Sequence, residues 1–277
     1  MRRPCSKRLP ISACVTGLLL AVAAGAQGPL DLSTPNEVPE LSQFSFVRVE
    51  YDSVGGLGEA FYDYRGRIWQ RWETDFPEGD RNFVFRLTEL TEVHLAPEPI
   101  TRRLTAPDLH QFPFLYMCDV GWMRFSEEEV VALRNYLFKG GFVWVDDFWG
   151  RAEWLNLEEQ LRRVIPELSW RDLPSDHPIL SSVFQLDEMP QIPAQDFALG
   201  GWKHDPHWIH RYPAYGVETP HLRGYFDEND RLVVLATHNT DIGDGWEREA
   251  YGEWFFETYS TVAYAMGVNV VVYALTH

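Results

Sequence analysis

The stretch that most constrains the fold runs from Ser126 to Asp147. Ser126 and Glu129 form a capping box, and Val130, Leu133 and Leu137 fall on one helical face. Gly140 stands where a left-handed residue ends a helix. Gly141 then leads into Phe142-Val143-Trp144-Val145, a wholly apolar run that stops at Asp146-Asp147, beside Phe148 and Trp149. A strand without polar alternation, fed by an amphipathic helix, belongs to a sheet covered on both faces. In such sheets ligands bind beyond the carboxyl ends of the strands. Asp146 and Asp147 are therefore the first place to look for function.

The rest of the chain repeats the pattern. Residues 44–51 alternate apolar and polar and predict a strand with one wet face. Asp80 is placed to cap a helix in which Phe83, Leu87 and Leu90 share a face. Residues 112–117 predict a buried strand. A further helix carries Trp154, Leu157, Leu161 and Val164 and stops at Pro166. Residues 169–225, dense in Pro, Gly, His and Trp, predict long loops with short strands over one edge of the sheet. A buried strand at 232–236, a long apolar helix at 252–266 and a last strand at 269–274 complete the pattern. Buried strands alternating with amphipathic helices predict an α/β domain, a mostly parallel sheet with helices on both faces.

The N-terminus is a separate object. Arg2, Arg3, Lys7 and Arg8 precede an apolar stretch at 11–23 and the small-residue site Ala24-Gly25-Ala26, which predicts a secretory signal peptide over 1–26. A polar leader over 27–42 and a single domain over 43–277 follow, giving an exported protein, periplasmic or secreted. No other segment reads as long and apolar enough to cross a membrane. Losing those four basic residues takes the net charge from −17 to −21. A surface so acidic disfavours nucleic acid as a partner. Cys5 and Cys14 leave with the signal, so Cys118 remains alone, and the core must hold without a disulfide. Eleven Trp, twelve Tyr and seventeen Phe supply it.

Candidate site residues cluster after the buried strands. Asp146 and Asp147 could bind a metal or act as acid and base; alternatively one caps the next helix and the other pairs with an arginine such as Arg151. Thr237-His238-Asn239-Thr240-Asp241, with Asp244, follows the 232–236 strand and would share the rim with Asp146. Its oxygen-rich, glycine-punctuated character suits a divalent cation, but its spacing is not that of an EF-hand. His204, His207 and His210 have a spacing compatible with zinc, without a matching thiol or carboxylate motif. Gly55-Gly56-Leu57-Gly58 lacks the third glycine of a dinucleotide fingerprint and a Walker lysine, so it reads as a turn. Cys118 lacks the small neighbours of a nucleophile elbow and reads as a buried small hydrophobe.

Three segments carry a family likeness. The run from Tyr136 to Asp147, the run from Arg71 to Pro77, and Thr237-His238-Asn239-Thr240-Asp241 resemble the bacterial domain-of-unknown-function family 4159 over about residues 44–277. That family is similar to the trehalose-utilisation (ThuA-like) branch of the class I glutamine amidotransferase-like fold. Asp176-His177-Pro178-Ile179, Phe184 and Leu186-Asp187-Glu188 resemble its His-Pro-Ile and Asp-Glu segments. The resemblance implies a flavodoxin-like three-layer α/β/α sandwich. It also implies that Asp146-Asp147 stands where an active amidotransferase carries its cysteine, so thiolate chemistry is not expected.

The site expected from these readings draws on Asp146, Asp147, His238 and Asp241 as candidate reacting groups. His177, Asp187, Glu188, Asn239, Asp244 and Trp149 are candidate binding groups, for a small polar or carbohydrate ligand. A carboxylate and histidine hydrolase, with or without a divalent cation, and a non-enzymatic envelope protein are the alternatives.

Overall fold

The structure is a computed structural model that describes residues 43–277 apart from 65, 195–216 and 218. The expected signal peptide and leader lie outside the described residues, as do His204, His207 and His210. In chain order the strands are β1 (Val47–Glu50), β2 (Asp52–Ser53), β3 (Phe61–Tyr64), β4 (Arg67–Gln70), β5 (Ile100–Arg103), β6 (Phe114–Cys118), β7 (Met123–Arg124), β8 (Phe142–Asp146), β9 (Arg171–Asp172), β10 (His221–Phe226) and β11 (Leu232–His238). The helices are α1 (Glu78–Leu90), α2 (Glu127–Phe138), α3 (Gly150–Val164), α4 (Ile242–Glu247) and α5 (Thr261–Thr276).

Seven strands form one sheet in the order β5-β1-β6-β8-β11-β10-β9. The first five are parallel; β10 runs antiparallel to β11, and β9 to β10. Successive side chains alternate between the faces. Phe114, Tyr116, Phe142 and Trp144 pack with α1, α4 and α5, whereas Leu115, Met117, Val143 and Val145 pack with α2 and α3. The fold is thus a mostly parallel α/β sheet with helices on both faces. Trp246 of α4 centres the first core, stacked on Phe83 at 4.2 Å and meeting Tyr116 and Trp144 at 5.6 Å.

The Ser126–Glu129 capping box forms, and Gly140 ends α2 with φ +104°. Four expectations change. Residues 44–49 are buried throughout, because β1 is an interior strand and its polar residue, Arg48, is fully enclosed. Asp80 does not cap α1. It lies inside the first turn, where Arg48 grips both carboxyl oxygens, Nε reaching Oδ2 at 3.2 Å and Nη2 reaching Oδ1. The expected last strand over 269–274 is helical, because α5 is apolar around most of its circumference and its run of valines has no period to read. Finally, the rod Glu253–Thr276, continuous through a π-helical turn at Phe256–Ser260, has 24 residues and contains an 18-residue window with a mean hydropathy of 1.2, enough by length and composition to cross a bilayer. Yet 61% of that window is buried, as befits a core helix.

A charge with no exposed surface depends on its partner, and breaking such a pair leaves the other charge stranded. We expect Arg48→Met to destabilise the protein by about 3–5 kcal/mol in denaturant unfolding, with much of the loss recovered by adding Asp80→Leu. A loss under about 1 kcal/mol in the single variant would show that the pair is dispensable.

Candidate functional site

Three parallel strands end in the same way. After β6, β8 and β11 the next residue is Asp119, Asp147 or Asn239, with φ of +55°, +53° and +62°. Asp and Asn tolerate this left-handed conformation better than other residues with side chains. The turns are tied together: Asp119 N donates to Asp146 O at 3.1 Å, Asn239 N to Phe148 O at 3.0 Å, and the Tyr51 hydroxyl to the carbonyls of Cys118 and Asp119. Asp75, φ +62°, approaches the same edge from the segment after β4. Arg48 Nη1 fixes that segment by donating to Thr74 O at 3.0 Å.

Asp75 is the hub. It shares one cluster with Cys118 and Asp147 and another with Asp244 and Glu247, the ligating atoms in each lying within 4.8 Å of one another. Cys118 Sγ stands 3.8 Å from Asp75 Oδ2 and 3.9 Å from Asp147 Oδ2. Asp119 Oδ2 accepts from Arg71 Nη1 and Thr74 Oγ1, both at 2.9 Å. Asp147 Oδ1 accepts from Trp149 Nε1 at 2.8 Å, and Trp149 N donates to Glu153 Oε2 at 2.6 Å. Asp241 caps α4 through Asp244 N at 2.8 Å. Half-buried Tyr62, Arg71, Thr74, Trp149 and Glu153 surround the buried acids.

Asp147, Asp241 and Asp244 thus join the acidic cluster. Trp149 adjoins it through its bond to Asp147, and the other expected residues do not join it. Asp146 points into the sheet core, accepting from Thr237 Oγ1 (2.5 Å), Tyr116 OH (2.8 Å) and Gly243 N (3.1 Å). Thr237 faces that same core, so alternation turns His238 to the opposite face. There its ring stacks on Phe148, with Nε2 bonded to Gly150 O at 3.0 Å, and burial pushes its pKa down to about 4. Asn239 is a clamp, accepting from Gly150 N and donating to Thr219 O, both at 2.8 Å. His177 caps a short turn and packs by Tyr273 and Phe226, at the amino edge of β11. Asp187 and Glu188 are exposed. The glycine segment at 55–58 is a turn, with Gly55 and Gly58 at positive φ.

Sequence reasoning missed Asp75, Asp119, Glu153, Glu247 and Arg248 as site residues, while Arg71, expected from its basic-aromatic stretch to pair with a carboxylate or stack on a sugar, pairs with Asp119. A signal for Asp119 existed in the Cys118-Asp119, Asp146-Asp147 and His238-Asn239 doublets, each an Asx residue just past a buried strand.

The electrostatics are lopsided. Burial, with Asp119 and Asp75 adding to it, holds the Asp147 carboxyl well above the usual range. Burial does the same to Asp241 and Asp244, helped by Asp147 and Asp75 respectively. Burial pushes Asp146 and Asp119 up to about 6, and Glu153 up to about 7. Burial also keeps the Cys118 thiol well above its ordinary value, so it is not a ready nucleophile.

These carboxyls bind protons more tightly in the folded than in the unfolded state, where they titrate near pH 4. Their contribution is complete below about pH 4 and is lost as pH rises through about 7. We expect the metal-free protein to melt at a lower temperature at pH 8 than at pH 5.5 by calorimetry, with a flatter slope for Asp147→Asn. A melting temperature that climbs across this window would contradict the assignment.

No curated protein matches the chain. The family described as Domain of unknown function (DUF4159) matches it over residues 46–275, a span that includes all eleven strands among the described residues and every acid of the cluster. The chain belongs to that family.

Proposed function

We propose that this protein binds a small polar ligand, of carbohydrate or amine type, at the carboxyl edge of its sheet, and does so without thiolate chemistry. The observation that carries the reading is the gathering of Asp75, Asp119 and Asp147, each in left-handed backbone, beyond the ends of β6 and β8. A left-handed residue costs about 1 kcal/mol, and such outliers cluster where ligands are held. The carboxylates accept hydrogen bonds from hydroxyl or ammonium groups.

Further support comes from topology. Numbered among themselves, the parallel strands run 2-1-3-4-5. That order favours a flavodoxin-like sandwich of the class I amidotransferase and ThuA-like kind, whose ligands bind where the strand order reverses. The reversal lies between β1 and β6, and Asp119 follows β6 directly. In the elbow position stand Asp119 and Asp147 instead of a thiol, which argues against glutamine hydrolysis. The orientation of His238 weighs against a hydrolase that uses it as base. Export through the predicted signal at 1–26 completes the proposal and would place the ligand outside the cytoplasm.

A thermal-shift screen of neutral sugars, amino sugars and amines tests the reading. The expected result is a saturable rise in melting temperature that Asp147→Asn abolishes while leaving the folded circular dichroism spectrum intact. An equal shift in the variant, or no compound that stabilises the wild type, would refute this site.

A further inference from the structure

The half of the cluster around Asp244 carries more carboxyl groups than cations. Asp244 is 1% exposed. Its Oδ1 accepts from Arg248 Nε at 2.7 Å, but no donor reaches its Oδ2. What stands beside the Asp244 carboxyl instead is more carboxylate: one oxygen each of Asp75, Asp244 and Glu247 lies within 4.8 Å of the other two. Arg248 is the cation of this group, paired with Asp244 and with Glu247 at 2.7 Å. Arg48 is already matched by Asp80, and Arg71 by Asp119. With all three carboxyls ionised, one guanidinium leaves two negative charges to be met by protons or by a bound cation.

The backbone is shaped to allow the approach. A Cβ on Gly243 would stand 2.6 Å from Asp75 Oδ2, and one on Gly79 would stand 3.3 Å from Asp75 Cβ and 3.6 Å from Glu247 Cβ. Glycine at 243 lets the loop carboxylate close on α4, while a Cβ at 79 would only crowd Asp75. Loop and helix thus present oxygen atoms to one point where Arg248 is the cation that pairs with two of them, and an under-neutralised group of this kind is costly to bury.

We propose that a hard divalent cation, of the Mg²⁺, Mn²⁺ or Ca²⁺ class, binds between Asp75, Asp244 and Glu247. All-oxygen donors select this class over softer metals, and a double charge meets the two negative charges that remain. The unpartnered Asp244 Oδ2 becomes a ligand. This inference rests on the carboxyl edge being the binding site and deepens that reading: the cation sits beside the polar ligand, the two acidic clusters sharing Asp75.

The experiment uses the whole chain, stripped with EDTA, desalted and titrated with MnCl2, MgCl2 or CaCl2 alone at pH 7.5. Calorimetric titration and thermal shift read binding, and the electron paramagnetic resonance of Mn²⁺ reads the bound fraction. Wild type should bind one ion saturably and melt higher with it. Asp244→Asn and Glu247→Gln, each removing one carboxylate while Arg248 keeps the other, should fold and bind more than about tenfold more weakly. Asp147→Asn should retain the ion. No metal-dependent shift in the wild type, or an undiminished one in both Asp244→Asn and Glu247→Gln, would overturn the cation site. If the sugar or amine shift then persisted and still depended on Asp147, the ligand-binding reading would stand without its metal. Metal binding with no organic ligand found would uphold the cation and sink that reading.

Discussion

Arg48 and Asp80 form the ion pair on which the rest of the carboxyl edge depends. A guanidinium inside the sheet is tolerable only with its charge matched and its donors used. Asp80 takes two of those donors and Thr74 O a third. The third matters most for function. It holds the residue before Asp75 against β1, and so carries a loop aspartate to the ends of strands far from it in the chain. The same guanidinium lies 4.8 Å from the Tyr116 ring centroid, and the Tyr116 hydroxyl binds Asp146. Sheet, first helix and acidic loop are thus locked through one side chain.

Around this lock the protein concentrates negative charge where the dielectric is low. Buried carboxylates repel one another unless each takes a proton, a guanidinium or a ligand. Asp119 has Arg71 and Thr74, and Asp146 has three neutral donors. Asp147 has one indole, and Asp244 leaves an oxygen bare. Protonation relieves the repulsion at low pH and a bound cation relieves it at high pH. Occupancy of the site and stability of the fold are therefore coupled, since whatever binds only the folded chain stabilises it by mass action.

Much of the fold was legible because burial on two faces leaves an unmistakable mark. The run from Phe142 to Val145 could only be an interior strand, and Ser126 with Glu129 could hardly fail to start a helix. Where that mark was missing, reading failed. Strand β5, with Thr101, Arg102 and Arg103, is a half-buried edge whose polar residues find Asp108, Asp52 and Glu50 as partners. Helix α5 has nine buried residues on several sides and so no helical period. Of the acidic cluster, Asp147, Asp241 and Asp244 were legible because they follow the ends of buried strands. Asp75 was not, because its place comes from a hydrogen bond to Arg48 across the core, which no local pattern records. His238 shows the converse: correct in position along the strand, it was lost to period-two alternation.

The left-handed residues at three strand ends have a consequence for how such a site can change. At each, backbone shape and side-chain chemistry are separable. Glycine or asparagine satisfies the turn as well as aspartate does, so charge can be added or removed there without disturbing the strand beneath. The carboxyl edge behaves as a row of sockets on a rigid board. Asn239 shows the neutral version of the same socket, its amide used to clamp the chain, while Asp119 and Asp147 carry the charged version. One left-handed geometry thus serves two chemistries, a neutral clamp at Asn239 and buried acids at Asp119 and Asp147.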